Sequence, residues 1–234
     1  VVAGLYIAAA LANLRIPKLP AAHPVESFNL LLLVRDFWIA LKQLYRHPET
    51  RFTLLGTSLF WGAGSTLRFM LVAWVPVALL IDNNHTPANL NGVVAIGIAV
   101  GAALAARWVN LKTVNRALIG GLLLGVGVWI FAHATHLYVA IGLLVLIGAC
   151  GGFFVVPLNA LLQERGHATV GAGHDIAVQN FSEGIAMLTL VGAFTAARKA
   201  EWPVIPMAEG FGLAIIGFMV LLTLLRLTRW KSPT

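Results

Sequence analysis

Long apolar runs, separated by short polar connections, recur along this chain of 234 residues. About 20 largely apolar residues are enough for a helix to cross the hydrocarbon core of a bilayer, which is about 30 Å thick. Because 59% of the residues are hydrophobic and only 11% are charged, the polar side chains are too few to cover a water-soluble surface. The apolar runs are continuous, which is typical of transmembrane helices. The sequence therefore predicts an all-α integral membrane protein.

The apolar runs predict six transmembrane helices that follow the end of an earlier one. Their approximate ranges are 52–81, 90–106, 116–132, 137–162, 174–197 and 208–225. We expect residues 1–16 to end an earlier helix, residues 17–50 to form a connecting loop, and residues 51–234 to form a six-helix bundle with a short tail. In the loop, the polar residues of segment 28–46 share one helical stripe, which predicts an amphipathic helix lying in the membrane interface. Because the chain opens inside an apolar run, we expect it to be a piece of a longer protein.

The distribution of Lys and Arg predicts the orientation of the helices. Cytoplasmic connections of membrane proteins are enriched in these residues. Most of the cations fall in connections on one side, whereas the other side has only Arg198 and Lys199. The cations of the first group are Arg15, Lys18, Arg35, Lys42, Arg46, Arg51, Arg107, Lys112, Arg116, Arg165, Arg226, Arg229 and Lys231. We therefore expect the loop 17–50 and the carboxy terminus to be cytoplasmic, and we interpret the net charge of +7 as a topology signal rather than a nucleic-acid surface.

Arg68 is a cation inside the first complete span. At 1.5 Å per residue it lies about 24 Å along the helix from Phe52, too deep to reach the cytoplasmic surface. An unpaired charge near the middle of a bilayer costs at least about 2.5 to 3.5 kcal/mol. Arg68 shares a helical stripe with small and polar residues, namely Thr57, Ser58, Trp61, Gly64 and Ser65. The pattern predicts a face that lines a polar cavity, and the alternative is a fixed ion pair between two helices.

Glu183 is the deepest acidic residue, and it is the candidate partner of Arg68 within this chain. It lies about 14 Å along its helix from His174. Polar residues on adjacent turns of the same helix are Asp175, Gln179, Asn180 and Ser182. A direct pair with Arg68 is one interpretation; a protonated Glu183 and a partner elsewhere in a longer protein are the others. Asp175 is close to the start of the helix, where helix capping is the simpler role.

The remaining polar groups give weaker signals. Asn159 lies in an apolar run, where it predicts either a hydrogen bond between helices or a substrate contact. His133 and His136 have helical spacing but no third ligand, so we expect no metal site there. Cys150 is the single cysteine and offers no disulfide. The chain contains no phosphate-binding loop, zinc motif or nucleophile elbow, so we expect no cofactor and no hydrolytic chemistry.

Several long strings of the chain resemble one family of transporters. They are GTSLFWGAGSTLRF, WVPVAL, VAIGI, GGFFVVPLNALLQERG, VGAGHDIAVQNFSEG and, at the entry to the loop, IPKLPAA. Together with six spans after a basic loop, they resemble the carboxy-terminal half of a major facilitator superfamily transporter. Within that superfamily they resemble the lysophospholipid transporters of Gram-negative bacteria. His174 and Asp175 depart from this pattern, because the resemblance leads us to expect Asn and Ala there.

The resemblance implies a substrate and a cavity. It implies movement of lysophosphatidylethanolamine and lysophosphatidylglycerol from the outer to the inner leaflet of the inner membrane, by alternating access, for reacylation by an acyltransferase that is also an acyl-carrier-protein synthetase. It implies that the helices carrying Arg68 and Glu183 line the central cavity. The candidate cavity residues are Arg68, Glu183, Trp61, Ser65, Gln179, Asn180 and Asn159.

Three other classes of protein stay open at this stage. An exporter of a drug or small amphipathic metabolite would have the same fold and another substrate. A membrane-bound acyltransferase subunit would be an enzyme, but the His-x-x-x-x-Asp pattern expected of lipid acyltransferases is absent. A purely structural membrane subunit is disfavoured by the charges within the spans.

Overall fold

A computed structural model describes residues 2–15 and 30–229 of the chain. The regular elements of these residues are helices: α1 (Val2–Asn13), α2 (Leu30–Arg46), α3 (Pro48–Ala78), α4 (His85–Trp108), a short 3₁₀ helix (Leu111–Arg116), α5 (Ala117–Phe131), α6 (Leu137–Val170), α7 (Ala172–Lys199) and α8 (Val204–Arg229). Residues 16–29, which include Lys18 and the first part of the predicted loop 17–50, lie outside the described residues, as does Lys231.

The chain divides into two compact units, residues 1–35 and 36–234. The first unit contains α1, whose large apolar side chains Tyr6, Ile7 and Leu11 are exposed. The second contains residues 36–46 of α2 and the helices α3 to α8. Within the second unit, α3 packs on α4, α6, α7 and α8. This central position of α3 brings its side chains close to several helices at once.

Five helical segments of the described chain are long and apolar enough to cross a membrane. They are His85–Trp108, Leu111–Phe131, Leu137–Val170, Ala172–Lys199 and Val204–Leu227. This confirms the prediction of an all-α membrane bundle. Helix α3 has 31 residues and is long enough, but it is not among the five. Arg68 and the Gly, Ser and Thr residues of α3 lower its mean hydropathy, so the crossing of α3 stays a prediction.

Helix α6 continues to Val170, eight residues beyond the approximate end of the predicted fourth span at residue 162. The residues that follow Leu162 include polar ones, so the end of the apolar run is not the end of the helix. Gly171 alone separates α6 from α7, and its φ of 83° lies in the left-handed region that glycine tolerates. The two helices are therefore joined by a one-residue connection.

Aromatic side chains of α3, α5 and α6 fill the centre of the second unit. Trp74, Phe131 and Phe154 are each almost completely buried. The rings of Trp74 and Phe131 have centroids 4.2 Å apart, and Trp74 Nε1 donates a hydrogen bond to the carbonyl oxygen of Ala132 at 3.3 Å. A buried indole N–H needs such an acceptor. This contact holds the end of α3 against the end of α5.

Glycines allow α4 and α6 to approach closely, as their four-residue spacing predicts. A Cβ atom on Gly97 would overlap the carbonyl oxygen of Val145, and one on Gly101 would overlap the carbonyl oxygen of Ala149. On the facing helix, a Cβ on Gly152 would overlap the carbonyl oxygen of Ile98. Close backbone packing of this kind holds membrane helices together where the hydrophobic effect between them is weak.

The predicted amphipathic helix is present as α2, and its second half packs on the bundle. Ala40 and Leu44 are buried in a cluster with Leu54, Leu162 and Val178, which belong to α3, α6 and α7. The polar side chains of this half, Lys42, Gln43 and Arg46, are exposed. The apolar face of residues 36–46 therefore contacts protein, and the location of the helix in the membrane interface stays a prediction.

Candidate functional site

A network of hydrogen bonds joins polar side chains of α6 and α7 beside α3. Gln179 Nε2 on α7 donates to Asn159 Oδ1 on α6 at 3.0 Å and to Glu183 Oε1 on α7 at 2.8 Å. The Thr57 side chain on α3 lies near the Glu183 carboxyl group, and its hydroxyl donates to the carbonyl oxygen of Leu54 at 3.3 Å. Three side chains of α6 and α7 are thus linked through one amide, with Thr57 of α3 beside them.

The local sequence explains why these groups meet. Gln179 and Glu183 are four residues apart, so they lie one above the other on the same face of α7. Gly62 allows α7 to pack closely on α3, because a Cβ there would lie 3.1 Å from the carbonyl oxygen of Ala186 and 2.8 Å from a methyl group of Leu190. The close approach brings Thr57, about one and a half turns before Gly62, to the Glu183 carboxyl group.

Burial makes this network costly to disrupt. Glu183 is 7% exposed and Thr57 is fully buried, whereas Asn159 and Gln179 are partly exposed. A carboxyl group in an apolar interior is stable only when its oxygens have hydrogen-bond partners. Gln179 supplies such a partner to Glu183, and Asn159 holds the Gln179 amide in the orientation that donates to Glu183.

Arg68 lies on an exposed face of α3. Trp61 is 45% exposed, Gly64 and Arg68 are also exposed, and Ser65 is partly exposed. The other end of the predicted stripe, Thr57 and Ser58, is buried. The stripe therefore has two parts: a buried end beside the polar network, and an open end formed by the exposed or partly exposed residues Trp61, Gly64, Ser65 and Arg68. We call these four residues the open face of α3.

The direct ion pair between Arg68 and Glu183 is not formed. Among the described residues, no ion pair or hydrogen bond includes the Arg68 side chain. The Glu183 carboxyl group is directed to Gln179 and Thr57 instead. The sequence gives the depth of Arg68 and of Glu183 along their helices. Depth alone does not give the direction in which each side chain points. Arg68 is thus a cation on the open face of α3. Glu183 is a buried acid whose carboxyl group accepts a hydrogen bond within the bundle.

Asp175 does not cap α7, contrary to the expected role. Its side chain is 1% exposed and packs against Gly166 of α6, where a Cβ atom would overlap the carboxyl group. Its Oδ1 atom has no hydrogen-bond partner among the described residues. The cap position of α7 is Gly171, which has no side-chain cap hydrogen bond, and the Asp175 carboxyl group contacts the α6 backbone at Gly166 instead.

Two other predicted groups have simple environments. Asn180 is exposed and lies outside the polar network. His133 Nε2 lies 3.1 Å from Oε1 of Glu209 on α8, which makes an ion pair when the imidazole is protonated. No group of three or more metal-binding side chains occurs among residues 2–15 and 30–229.

Tyr45 on α2 is a residue that sequence reasoning missed. Its hydroxyl donates to Ser182 Oγ at 3.1 Å, and Ser182 Oγ donates to the Val178 carbonyl oxygen at 2.8 Å. Phe37 of the same helix packs edge to face on Phe181, with ring centroids 5.2 Å apart. Residues 36–46 of α2 therefore contact α7 directly beside Glu183. The only signal in the sequence was the position of Tyr45 at the border of the apolar and polar faces of α2.

Replacement of Gln179 by Leu is expected to destabilise the bundle. The change leaves Asn159 and Glu183 without the amide that links them. A buried polar group that loses its partner costs about 1 to 3 kcal/mol. We expect a lower melting temperature of the purified protein in detergent. Asn180→Leu is the matched control, because this neighbouring side chain is exposed, and an equal effect of both variants would contradict the network.

These features define the class of the protein: a multi-pass α-helical membrane protein with a polar network between its helices. The chain is homologous to curated lysophospholipid transporters of enteric bacteria. It is 56% identical over 207 residues to the lysophospholipid transporter LplT of Escherichia coli O1:K1, with coverage of 88% of this chain and 52% of the relative. The same identity and coverage hold for the LplT proteins of Escherichia coli O81 and Shigella boydii serotype 4. No family model matches the chain.

The chain spans about half the length of the curated relatives that it matches. The similarity nevertheless covers most of this chain, so the relatives share most of the helices described above. The relatives themselves are named as transporters.

Proposed function

We propose that the chain forms the carboxy-terminal half of a lysophospholipid transporter of the major facilitator superfamily. The observation that carries the proposal is the open face of α3, where Arg68 is exposed within a helix of the bundle and forms no ion pair with a described residue. A protein does not retain such a cation in a membrane without a partner. The partner that we propose is the phosphate group of the substrate.

An arginine suits this role because its planar guanidinium group donates two parallel hydrogen bonds to phosphate oxygens. Trp61 and Ser65 lie on the same face and line the path of the headgroup. Val72 is 56% exposed one turn beyond Arg68 and provides apolar surface for the acyl chain. Headgroup and chain would thus contact neighbouring turns of one helix.

The polar network lies beside this face. Thr57 of α3 lies near Glu183 of α7, and the two helices pack closely at Gly62, so a movement of α3 would be felt by α7. In an alternating-access cycle, the substrate must bind the two states with different affinity. We propose that an acid, either Glu183 after rearrangement of the network or a residue of the amino-terminal half, pairs with Arg68 when no substrate is bound. Substrate phosphate and that acid would then compete for one cation.

The cellular role follows from the same proposal. The transporter would move lysophosphatidylethanolamine and lysophosphatidylglycerol from the outer to the inner leaflet of the Gram-negative inner membrane. The carboxy terminus would be cytoplasmic, as the distribution of Lys and Arg predicts. An acyltransferase that is also an acyl-carrier-protein synthetase would consume the product, and the transporter itself would need no cofactor and catalyse no covalent step.

The test is transport of headgroup-labelled lysophosphatidylethanolamine into proteoliposomes. They should contain this chain joined to an amino-terminal half such as that of the Escherichia coli relative. We expect transport above that of protein-free liposomes, and we expect excess unlabelled lysophosphatidylglycerol to compete. Transport of a cationic amphipathic dye that lysophospholipid fails to inhibit, with no movement of the labelled lipid, would contradict the proposal and favour an exporter.

A further inference from the structure

A buried carboxyl group lies where the end of α6 meets the start of α7. Asp175 is 1% exposed, and its Oδ1 atom has no hydrogen-bond partner among the described residues. The carboxyl group packs against the backbone of Gly166, and Gly171 alone connects the two helices. We call residues 163–175 the α6–α7 hairpin.

The contact of Asp175 with Gly166 belongs to the same helix interface as the polar network. Asp175 precedes Gln179 by four residues, so both lie on one face of α7. Gly166 follows Asn159 by seven residues, which is about two turns, so both lie on one face of α6. Gln179 donates to Asn159 at 3.0 Å. Separation of the helices at Asp175 would therefore strain the hydrogen bond between Gln179 and Asn159.

The charged groups near Asp175 are exposed or have other partners. His167 of α6 is the described residue whose charge acts on the Asp175 carboxyl group, and His167 is itself exposed. Arg165 of α6 pairs with Glu49 of α3, with Nε and Oε2 2.9 Å apart. The other charged groups at this end of α2, α3, α6 and α7 are exposed or partly exposed, namely Lys42, Arg46, Arg51, Glu164 and His174. None of these residues forms an ion pair with Asp175 in the described part of the chain.

A carboxylate is unfavourable in such a position. Burial of an ionised carboxyl group without a partner costs much more free energy than burial of the neutral acid. The neutral acid also has an O–H donor, which the carboxylate lacks. In water, by contrast, an aspartic acid side chain is ionised at neutral pH. A bound proton and the closed packing of the hairpin therefore stabilise each other.

We propose that Asp175 is a proton-binding site that controls the closure of the α6–α7 hairpin. With the proton bound, the neutral carboxyl group packs on Gly166 and the hairpin is closed, as in this structure. Loss of the proton moves the carboxylate toward water, which separates the ends of the two helices and strains the contact between Gln179 and Asn159. By the distribution of Lys and Arg, the hairpin exchanges its proton with the cytoplasm.

Infrared spectroscopy of the complete transporter tests the bound proton directly. A protonated carboxyl group has a C=O stretching band that a carboxylate lacks, and Asp175→Asn removes the acid with little change in shape. We expect the native protein at neutral pH to show a band that is missing from Asp175→Asn. The control Asp82→Asn replaces an exposed acid and should retain the band. Identical spectra of the native protein and Asp175→Asn in this region would overturn the proposal.

The pH dependence of thermal unfolding tests the coupling between the proton and the hairpin. Because the closed protein holds a proton that the unfolded chain releases, the free energy of unfolding falls as the pH rises. We expect the melting temperature to fall between about pH 5 and about pH 8 more steeply in the native protein and Asp82→Asn than in Asp175→Asn. Equal slopes would contradict the coupling. A melting temperature of Asp175→Asn that is lower by the same amount at every pH would assign Asp175 to a fixed ion pair instead.

Gly166→Ala tests the contact that closes the hairpin. The new Cβ atom would overlap the Asp175 carboxyl group, so this side chain must leave the site. We expect the folded variant to lose the infrared band of the native protein. Retention of the band would show that the proton does not depend on closure and would contradict the proposal. Because none of these measurements uses lipid transport, their failure is distinguishable from failure of the proposed function.

Discussion

Transport of lysophosphatidylethanolamine should fall by roughly 10- to 150-fold when Arg68 is replaced by Ala. Hydrogen bonds to charged groups contribute about 1.5 to 3 kcal/mol, and each 1.4 kcal/mol corresponds to a factor of about ten in affinity. Arg68 is exposed and has no partner among the described residues, so its removal should leave folding intact. The measurement is the initial rate of transport at substrate concentrations below saturation, together with the melting temperature.

Two controls separate the phosphate contact from a general effect of charge. Arg68→Lys retains the charge but loses the planar pair of donors, so it should recover only part of the transport. Arg107→Ala removes an exposed cation from α4 and should transport as the native protein does. Native rates in Arg68→Ala would refute the phosphate contact, and a large loss in Arg107→Ala would show that surface charge alone explains the effect.

Gly101→Ala should strongly destabilise the bundle. The new Cβ atom would overlap the carbonyl oxygen and the Cα atom of Ala149 on α6. Both are backbone atoms and cannot move aside by a change of rotamer, so α4 and α6 must separate. Overpacking costs about 1 to 3 kcal/mol and occasionally more. We expect a lower melting temperature and a smaller yield of monodisperse protein.

Gly92→Ala is the matched control on the same helix. A Cβ atom at Gly92 meets no other atom within 4 Å. Alanine is favoured over glycine within a helix by about 1 kcal/mol, so this variant should be as stable as the native protein or more so. Equal destabilisation by both variants would mean that the effect comes from α4 itself and not from its contact with α6.

The class of fold was predictable because it depends on composition and on the length of the apolar runs. Both are properties of the sequence alone, and five described helical segments meet the requirements for a span. The end of α6 was not predictable in the same way. The apolar run ends at Leu162, where polar residues follow, but no Pro is among the residues up to Val170. Polar residues form helical hydrogen bonds as readily as apolar residues do, so the helix continues to Val170.

The members of the polar network were predictable, but their contacts were not. The spacing of Gln179 and Glu183 places them on one face of α7, and Asn159 stood out as an amide in an apolar run. The faces by which two helices pack together depend on close approach of their backbones at glycines such as Gly62. The sequence does not determine the rotation of one helix relative to another. For that reason the sequence allowed a pair between Arg68 and Glu183 that the structure replaces with contacts to Gln179 and Thr57.

The contacts of the cations near the predicted cytoplasmic side were not predictable from the sequence. There, Arg165 and Arg226 are only positive charges that predict topology. The structure brings Arg165 and Arg226 to the same acid, Glu49. Each of these two arginines is more than a hundred positions from Glu49, and no local pattern reveals such a cluster.

Photo-crosslinking tests the central claim, that the open face of α3 receives the substrate headgroup. The complete transporter in proteoliposomes is illuminated with lysophosphatidylethanolamine carrying a photoreactive group on its headgroup, and the labelled peptide is identified by mass spectrometry. We expect the label on residues 61–68, with protection by excess unlabelled lysophospholipid and much weaker labelling in Arg68→Ala. Protected labelling confined to other segments, with residues 61–68 unlabelled in the native protein, would contradict the account.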